Sequence, residues 1–375
     1  MAADMTGPGP LAGTRVVEFG GIGPAPLAGM LLADLGADVV VIERPNAGAI
    51  AEFVPKGFLV TNRGKRLTEA DLKAPADLER VRSLLDRSDA LIEGFRPGTM
   101  ERLGLGPEPL FERNPRLVYC RVTGWGQTGP LAQTAGHDIT YLAMTGALAT
   151  IGRHGDPPVP PVNYLGDYAG GTMFAVTGIL AGLLEARRSG RGQVVDAAMI
   201  DGVGALLAPL QGMVAAGRWR LERGRNLLDT GAPFYDVYPT ADGRYLAIGA
   251  LEDEFFAVLA ERIGLDRGLA DRRWDATTWP ALRQAIGDRI AERSRDAWVL
   301  VFEGTDGCVA PVLDLAEARA DGHHRSRHGF VEVAGATHPA PAPRFDRTPA
   351  RVPSAPPTAA TALDDLVADW AREVQ

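Results

Sequence analysis

An α/β fold built on a parallel sheet, with a second and smaller α+β unit, is what this sequence predicts, and three observations carry the prediction. Short apolar runs alternate with helical stretches between Arg15 and Val122, the pattern of strands joined by crossover helices. The texture then changes at Thr230–Gly249 to aromatic alternation around a turn. The length, 375 residues, suits two units and exceeds what a single small core needs. With 46% hydrophobic and 23% charged residues, the composition is that of a folded globular protein. A net charge of -8 argues against broad binding to nucleic acid or to an anionic membrane. The two cysteines, Cys120 and Cys308, make neither a disulfide framework nor a zinc pair; both sit in apolar runs and read as small apolar residues. The chain reads as cytoplasmic, with no structural metal.

The elements follow in order. Arg15–Phe19 is a short apolar strand, Gly20, Gly21 and Gly23 mark a turn, Pro26–Gly36 is helical, and Asp38–Ile42 is a second strand, which together make a β-α-β unit. Strands at Ser88–Glu93 and Arg116–Val122 follow charged helical stretches such as Ala76–Leu85. From Asp138 to Gly217 the pattern is helical and rich in Ala and Gly, and it includes the apolar run Met173–Leu184. That run is shorter than the roughly 20 residues of a membrane span and reads as a buried helix. In the second unit, Ala241-Asp242-Gly243 turns between two strands, and helices are expected at Asp253–Ile263, Trp279–Ser294 and Asp296–Glu303. Seven prolines between Pro339 and Pro357 make an extended connection that returns to the first unit before a helix at Ala362–Val374. The boundaries read as 1–217 for the first segment of a large α/β domain, 218–229 for a linker, 230–325 for the small domain, and 326–375 for a return linker and the last segment of the large domain. The start, MAADMTGPGPLAG, lacks a secretory pattern, and the end, AREVQ, lacks a lipidation or peroxisomal signal.

Several segments invite chemistry. Gly20-Gly21-Ile22-Gly23 with Glu43 has the outline of a dinucleotide site, but Pro24 and Pro26 spoil the pattern. A tight strand-to-helix turn and a pocket for another phosphorylated nucleotide both remain open. Arg63, Lys65 and Arg66 cluster around Gly64 in an otherwise acidic protein, and Arg96 lies in a Gly/Pro turn; such cations suit phosphate oxygens, although charge runs are usually solvated loops. Asp167 precedes an apolar helix, where Asp is ordinarily an N-cap. His137 stands in a Gly-rich turn, and Glu252 stands in an acidic run that suits a helix start. His323, His324 and His328 read as a solvated turn rather than a metal site, and His154 has no visible partner.

Eight segments, in order along nearly the whole chain, resemble one family: GTRVVEF with LADLGADVVVIERP, NRGKR with ADLK, EGFRPGTMERLGL, TGWGQTGP, AGHDITYLAMTG, PPVNYLGDYAGG, GQVVDAAMIDG and GAPFYDVYPTADGRYLAIGALE. That family is the class III CoA-transferase superfamily, and Gly136-His137-Asp138, Asn163, Asp167 and Glu252 resemble its α-methylacyl-CoA racemase subgroup. The resemblance implies an interlocked homodimer with a large CoA-binding α/β domain. It implies that the substrate is an acyl-CoA thioester and that no separate cofactor is needed. His137 and Asp167 are then the two acid/base groups, Glu252 orients His137, and Asn163 and Tyr235 lie near the thioester. Arg44, Arg63, Lys65, Arg66 and Arg96 lie in segments similar to the CoA-contacting ones. In the transferases of the superfamily an Asp similar to Asp167 forms an acyl anhydride and the His is missing, so a CoA-transferase is the competing expectation, and a CoA-binding protein without activity is a third. The sequence departs from the family at Glu252-Asp253-Glu254 and at Thr230, where Gly is common.

The chemistry of inversion accounts for these residue types. A hydrogen next to a thioester must leave from one face and a proton must return to the other, so two groups are required. A histidine serves as acid or base near neutrality. A carboxyl group exchanges roles with it when burial raises its pKa. The enolate oxygen needs fixed donors, and backbone N–H groups of the first helical turn at Asp167 are the expected source.

Overall fold

A computed structural model of the chain describes residues 9–45 and 54–372. The readings of the first eight residues and of the helix beyond Arg372 lie outside the described residues. The chain divides into two compact units, one of residues 1–145, 162–206 and 323–375, the other of residues 146–161 and 207–322. In this division the first unit's middle segment ends at 206, residues 218–229 fall within the second unit, and the second unit closes at 322. A segment assigned by sequence to the large domain, 146–161, groups with the second unit because Arg153 donates two hydrogen bonds, at 3.0 and 2.8 Å, to the buried carboxylate of Asp236.

In the first unit six parallel strands form one sheet in the order β3-β2-β1-β4-β5-β6: β1 Arg15–Phe19, β2 Asp38–Glu43, β3 Lys65–Glu69, β4 Ala90–Glu93, β5 Val118–Thr123 and β6 Gln193–Ala198. Two of these were not predicted. β3 (KRLTE) is too charged to show an apolar run; its backbone pairs in parallel with β2, and its Lys65 and Arg66 find carboxylate partners at Glu18, Asp38 and Asp369. β6 (QVVDAA) is an edge strand whose first residues face solvent, so it carries no strong periodicity either. The region 138–217 is accordingly not all helical.

Side chains alternate across the sheet. Val16, Val39, Ile92, Val118 and Cys120 face α1 (Pro24–Asp34) and a long helix, whereas Val17, Phe19, Val40, Leu91 and Tyr119 face α2 (Pro75–Leu85) and the terminal helix Leu363–Arg372. Both faces are covered, as a parallel sheet requires. The Pro-rich tail is tied to this unit: the Gly64 N–H donates to Ser354 O at 3.0 Å and the Thr361 N–H to Leu67 O at 2.7 Å, and Trp370 is buried against α2.

Helix α3 (Asp138–Thr145) precedes a continuous helical run, Tyr164–Ser189. Its first part, Tyr164–Thr172, is wound as a π-helix and its second part is α4, Met173–Ser189. At 26 residues the run is long and apolar enough to cross a membrane by length and composition, unlike the shorter stretch read from sequence, and half of its most apolar window is buried in the protein. Ala175, Ile179 and Leu183 of α4 pack on the sheet.

In the second unit β7 (Tyr235–Pro239) and β8 (Tyr245–Gly249) form an antiparallel hairpin around the expected Asp242-Gly243 turn, and β9 (Val309–Pro311) extends the sheet. Helices Asp253–Ile263, Trp279–Ile290 and Arg295–Phe302 bury Phe256, Leu259, Ile286 and Trp298 against Phe234, Leu246 and Ile248.

Candidate active site

In an open parallel sheet, ligands bind outside the carboxyl ends of the strands where the strand order reverses. Here the order reverses between β1 and β4, and a cavity of 660 Å³ lies at that point. Its walls are the turns after β1 (Gly20–Ala25), β4 (Gly94–Pro97) and β5 (Val122–Trp125), together with Gly136, His137, Tyr141, Asn163, Asp167, Tyr168 and Met199. The glycine turn after β1 is therefore part of a pocket. Gly23 has φ 74°, in the region that glycine favours, and a Cβ there would come within 3.1 Å of Asp167 Oδ2. The missing side chain gives room to a carboxylate.

Four sequence candidates meet in this cavity: His137, Asp167, Asn163 and Arg96. His137 is exposed and immediately precedes α3, and its carbonyl accepts the Thr140 N–H at 2.8 Å. Asp167 is half-buried within the π-helix, a winding that recurs at functional sites. It is not an N-cap, because the helical run already begins at Tyr164. Its Oδ2 accepts a hydrogen bond from Asn163 Nδ2 at 3.1 Å, with no backbone cap bond to hold it ionised. Burial pushes the Asp167 carboxyl above its ordinary range. The Asn163 amide pulls it down, the nearby Asp138 charge pushes it up, and His137 pulls it down. The net rise is what a carboxyl group needs in order to carry a proton near neutrality.

The expected backbone donor at Asp167 is corrected by the structure. Its N–H donates to Asp138 Oδ2 at 2.7 Å and is not free for a substrate oxygen. Asp138, buried at the first residue of α3, was not singled out by sequence, although its place beside His137 in the motif is a signal that could have found it. Tyr141 was missed as well; it packs edge-on to Trp125 at 4.8 Å and borders the cavity.

The basic cluster is paired within the protein. Arg63 is 1% exposed and donates to Asp34 Oδ2 at 2.6 Å and to Pro339 O at 2.6 Å. Lys65 is 3% exposed and donates to Glu18 Oε2 at 2.7 Å and to Pro26 O at 2.8 Å. Arg66 pairs with Asp38 and with Asp369. These side chains fasten β3 to α1, β1, β2 and the terminal segment, and none lines the cavity. Arg44 is exposed just beyond β2, at the carboxyl edge of the sheet.

Glu252 and Tyr235 belong to the second unit. Glu252 is exposed and stands at the head of helix Asp253–Ile263, and Tyr235 on β7 lines a separate cavity of 570 Å³ within that unit. Thr230 takes φ 73°, a left-handed conformation that favours glycine. Cys308 is exposed with φ 51° rather than buried, and His154 is in contact with Arg225, contrary to the sequence readings. Among the described residues, no group of three or more His, Cys, Asp or Glu is arranged to hold a metal ion.

Fold and cavity together define an α/β protein with an imidazole and a carboxyl group at the switch point of its sheet. The chain belongs to CoA-transferase family III, whose family model matches residues 11–361. It is 44% identical over 346 residues to the alpha-methylacyl-CoA racemase of Mus musculus, covering 92% of this chain and 88% of that protein. It is 42% identical over 345 residues to the alpha-methylacyl-CoA racemase of Homo sapiens, with the same shares covered. Among solved structures, a CAIB/BAIF family protein from Brucella suis matches with a TM-score of 0.80 at 27% identity, covering 97% of this chain and 99% of that chain.

Proposed function

We propose that the chain is an acyl-CoA racemase that inverts the α-carbon of 2-methyl-branched acyl-CoA thioesters. The observation that carries this reading is the presence of His137 and a half-buried Asp167 of raised pKa in one cavity at the sheet's switch point. Two proton-transfer groups suit a reaction in which one removes the α-hydrogen and the other returns a proton to the opposite face. The identity to named racemases supports the same reading.

In this account the thioester lies in the cavity with its nucleotide end toward the exposed Arg96 and Arg44. Neutral His137 or ionised Asp167 takes the α-proton, and the partner, in its protonated form, delivers one to the other side of the enolate. Asn163 holds the Asp167 carboxylate in place. Because Asp138 occupies the Asp167 N–H and the His137 carbonyl takes the N–H groups of Thr140 and Tyr141, the donors for the enolate oxygen are the Asp138 and Ile139 N–H groups at the start of α3. Glu252 and Tyr235 keep the supporting roles that the family resemblance implies for them. The reaction uses no cofactor beyond the CoA of the substrate, and the first unit is its CoA-binding domain. The active species is an interlocked homodimer in the cytoplasm. Exposed Tyr164, Met173, Phe174 and Leu184 along the 164–189 run support a covered apolar face in such a dimer.

The test is incubation of each enantiomer of 2-methylacyl-CoA thioesters of graded chain length in heavy water, followed by chiral analysis and mass spectrometry. Inversion with deuterium at the α-carbon is expected. Inversion with full retention of the original hydrogen would refute the reading, and a hydroxylamine-trapped acyl adduct on Asp167 with CoA exchange between two acids would favour a CoA-transferase instead.

A further inference from the structure

Two walls of the cavity, the segments after β4 and β5, are loops that must be held from beneath. The residues beneath them form a charged row across three neighbouring strands: Glu93 of β4 lies opposite Arg121 of β5, and Arg121 lies opposite Asp196 of β6. Glu93 is 2% exposed, and its Oε2 accepts the Phe95 N–H at 2.7 Å. Its Oε1 is 3.4 Å from Arg121 Nε. Arg121, also buried, pairs with Glu101 in the short helix Thr99–Arg102 that follows Arg96-Pro97-Gly98 and donates to Gln127 Oε1 at 2.8 Å. The Gln127 N–H donates to Asp196 Oδ2 at 3.0 Å. One guanidinium thus ties together the loop that carries Phe95 and Arg96 and the loop that carries Gly124 and Trp125.

We propose that Glu93 and Arg121 are positioning residues that set the affinity of the cavity for the CoA part of its substrate, by fixing the Phe95–Arg96 wall, without taking part in proton transfer. The inference rests on the acyl-CoA reading above. Arg96 is the one sequence-predicted CoA contact that lines the cavity, and it is three residues from Glu93. A charge-assisted hydrogen bond such as that from the Phe95 N–H to a carboxylate is stronger than the same bond to a neutral acceptor. Burial raises the Glu93 carboxyl to about 7, opposed by the Phe95 N–H and by Arg121 and reinforced by the negative charges of Glu101 and Asp196. Glu93 therefore loses its charge as pH falls through neutrality, and the wall is held less firmly in the acid range.

The experiment compares wild type with Glu93→Gln, Arg121→Met and Glu101→Gln. It measures calorimetric Kd for CoA, and KM and kcat for 2-methyldecanoyl-CoA and for the matching pantetheine thioester, which lacks the nucleotide. Glu93→Gln is expected to weaken CoA binding and raise KM about fivefold, with kcat changed less than about twofold, and to abolish the rise of wild-type KM below neutral pH. Glu101 is half-exposed, so Glu101→Gln leaves folding intact and produces the same effect more weakly. With the pantetheine thioester the variants match wild type. Unchanged Kd for CoA in all three variants overturns the inference, as does a loss of kcat without a change in KM, or an equal KM effect on the pantetheine thioester. If wild type inverts no 2-methylacyl-CoA yet Glu93→Gln still weakens CoA binding, the racemase reading fails and this inference stands.

Discussion

Lys65→Met separates a structural cation from a ligand-binding one. Lys65 and Glu18 meet at 2.7 Å with side chains that are 0% and 1% exposed, and the second oxygen of Glu18 has no partner among the described residues. Gly29 leaves the space they occupy, since a Cβ there would lie 3.0 Å from Lys65 Nζ and overlap the Glu18 carboxylate. Burial pushes the Glu18 carboxyl up and the Lys65 amine down, each against the pull of its partner, so attraction does not fully offset desolvation. Removing one member of such a pair leaves a buried charge and costs about 3–5 kcal/mol, whereas removing both charges is near neutral or stabilising. Lys65→Met is therefore expected to lower unfolding stability by about that amount in urea titrations followed by circular dichroism, and Glu18→Gln added to it restores most of the loss. The sign of the pH dependence follows. With Lys65 gone, the folded pKa of Glu18 stands above its unfolded value, so the folded state holds the extra proton and the deficit grows as pH rises past the unfolded carboxyl value. KM for acyl-CoA stays near the wild-type value. A variant that keeps its stability but shows a tenfold higher KM would refute the reasoning and return Lys65 to the CoA site.

Arg96→Ala is expected to raise KM for acyl-CoA by more than it lowers kcat, in steady-state kinetics, because an ion contact to the nucleotide is equally strong in ground and transition states. Asn163→Ala removes the hydrogen bond that favours ionised Asp167. The acid limb of kcat/KM, in the direction that uses Asp167 as base, moves to higher pH, and a limb moving to lower pH would contradict the assignment. His137→Ala lowers inversion at least about 100-fold while calorimetry finds CoA affinity within about twofold of wild type. Thr230→Gly relieves a left-handed threonine and stabilises the second unit by about 1 kcal/mol, read as a higher thermal midpoint.

Much of the fold could be read from apolar periodicity. Strands such as β1 and β2 are buried on both faces and show as continuous apolar runs, and the aromatic hairpin of β7 and β8 carries its own turn residues. β3 and β6 could not be read this way, because one takes its place through buried ion pairs and the other through an exposed edge. The same cause hid the ion pairs of Arg63 and Lys65: a cation in sequence looks alike whether it faces phosphate or a buried carboxylate, and Asp34 and Glu18 lie far from it in the chain. His137 and Asp167 were legible through motif resemblance, but the winding at Asp167 was not. There the Asp167 N–H donates to Asp138, a contact between segments 29 residues apart. The row Glu93, Arg121 and Asp196 emerges only when the strand register is known, since nothing local links three residues on different strands.

The central claim is that two groups work on opposite faces of one carbon. It is tested most directly by following α-hydrogen exchange into heavy water separately for each enantiomer of a 2-methylacyl-CoA, in His137→Ala and Asp167→Ala. The account predicts that each variant exchanges the α-hydrogen of one enantiomer only, without inverting it, and that the enantiomer retained by one variant is the one lost by the other. Equal loss or equal retention of both enantiomers in both variants would contradict it.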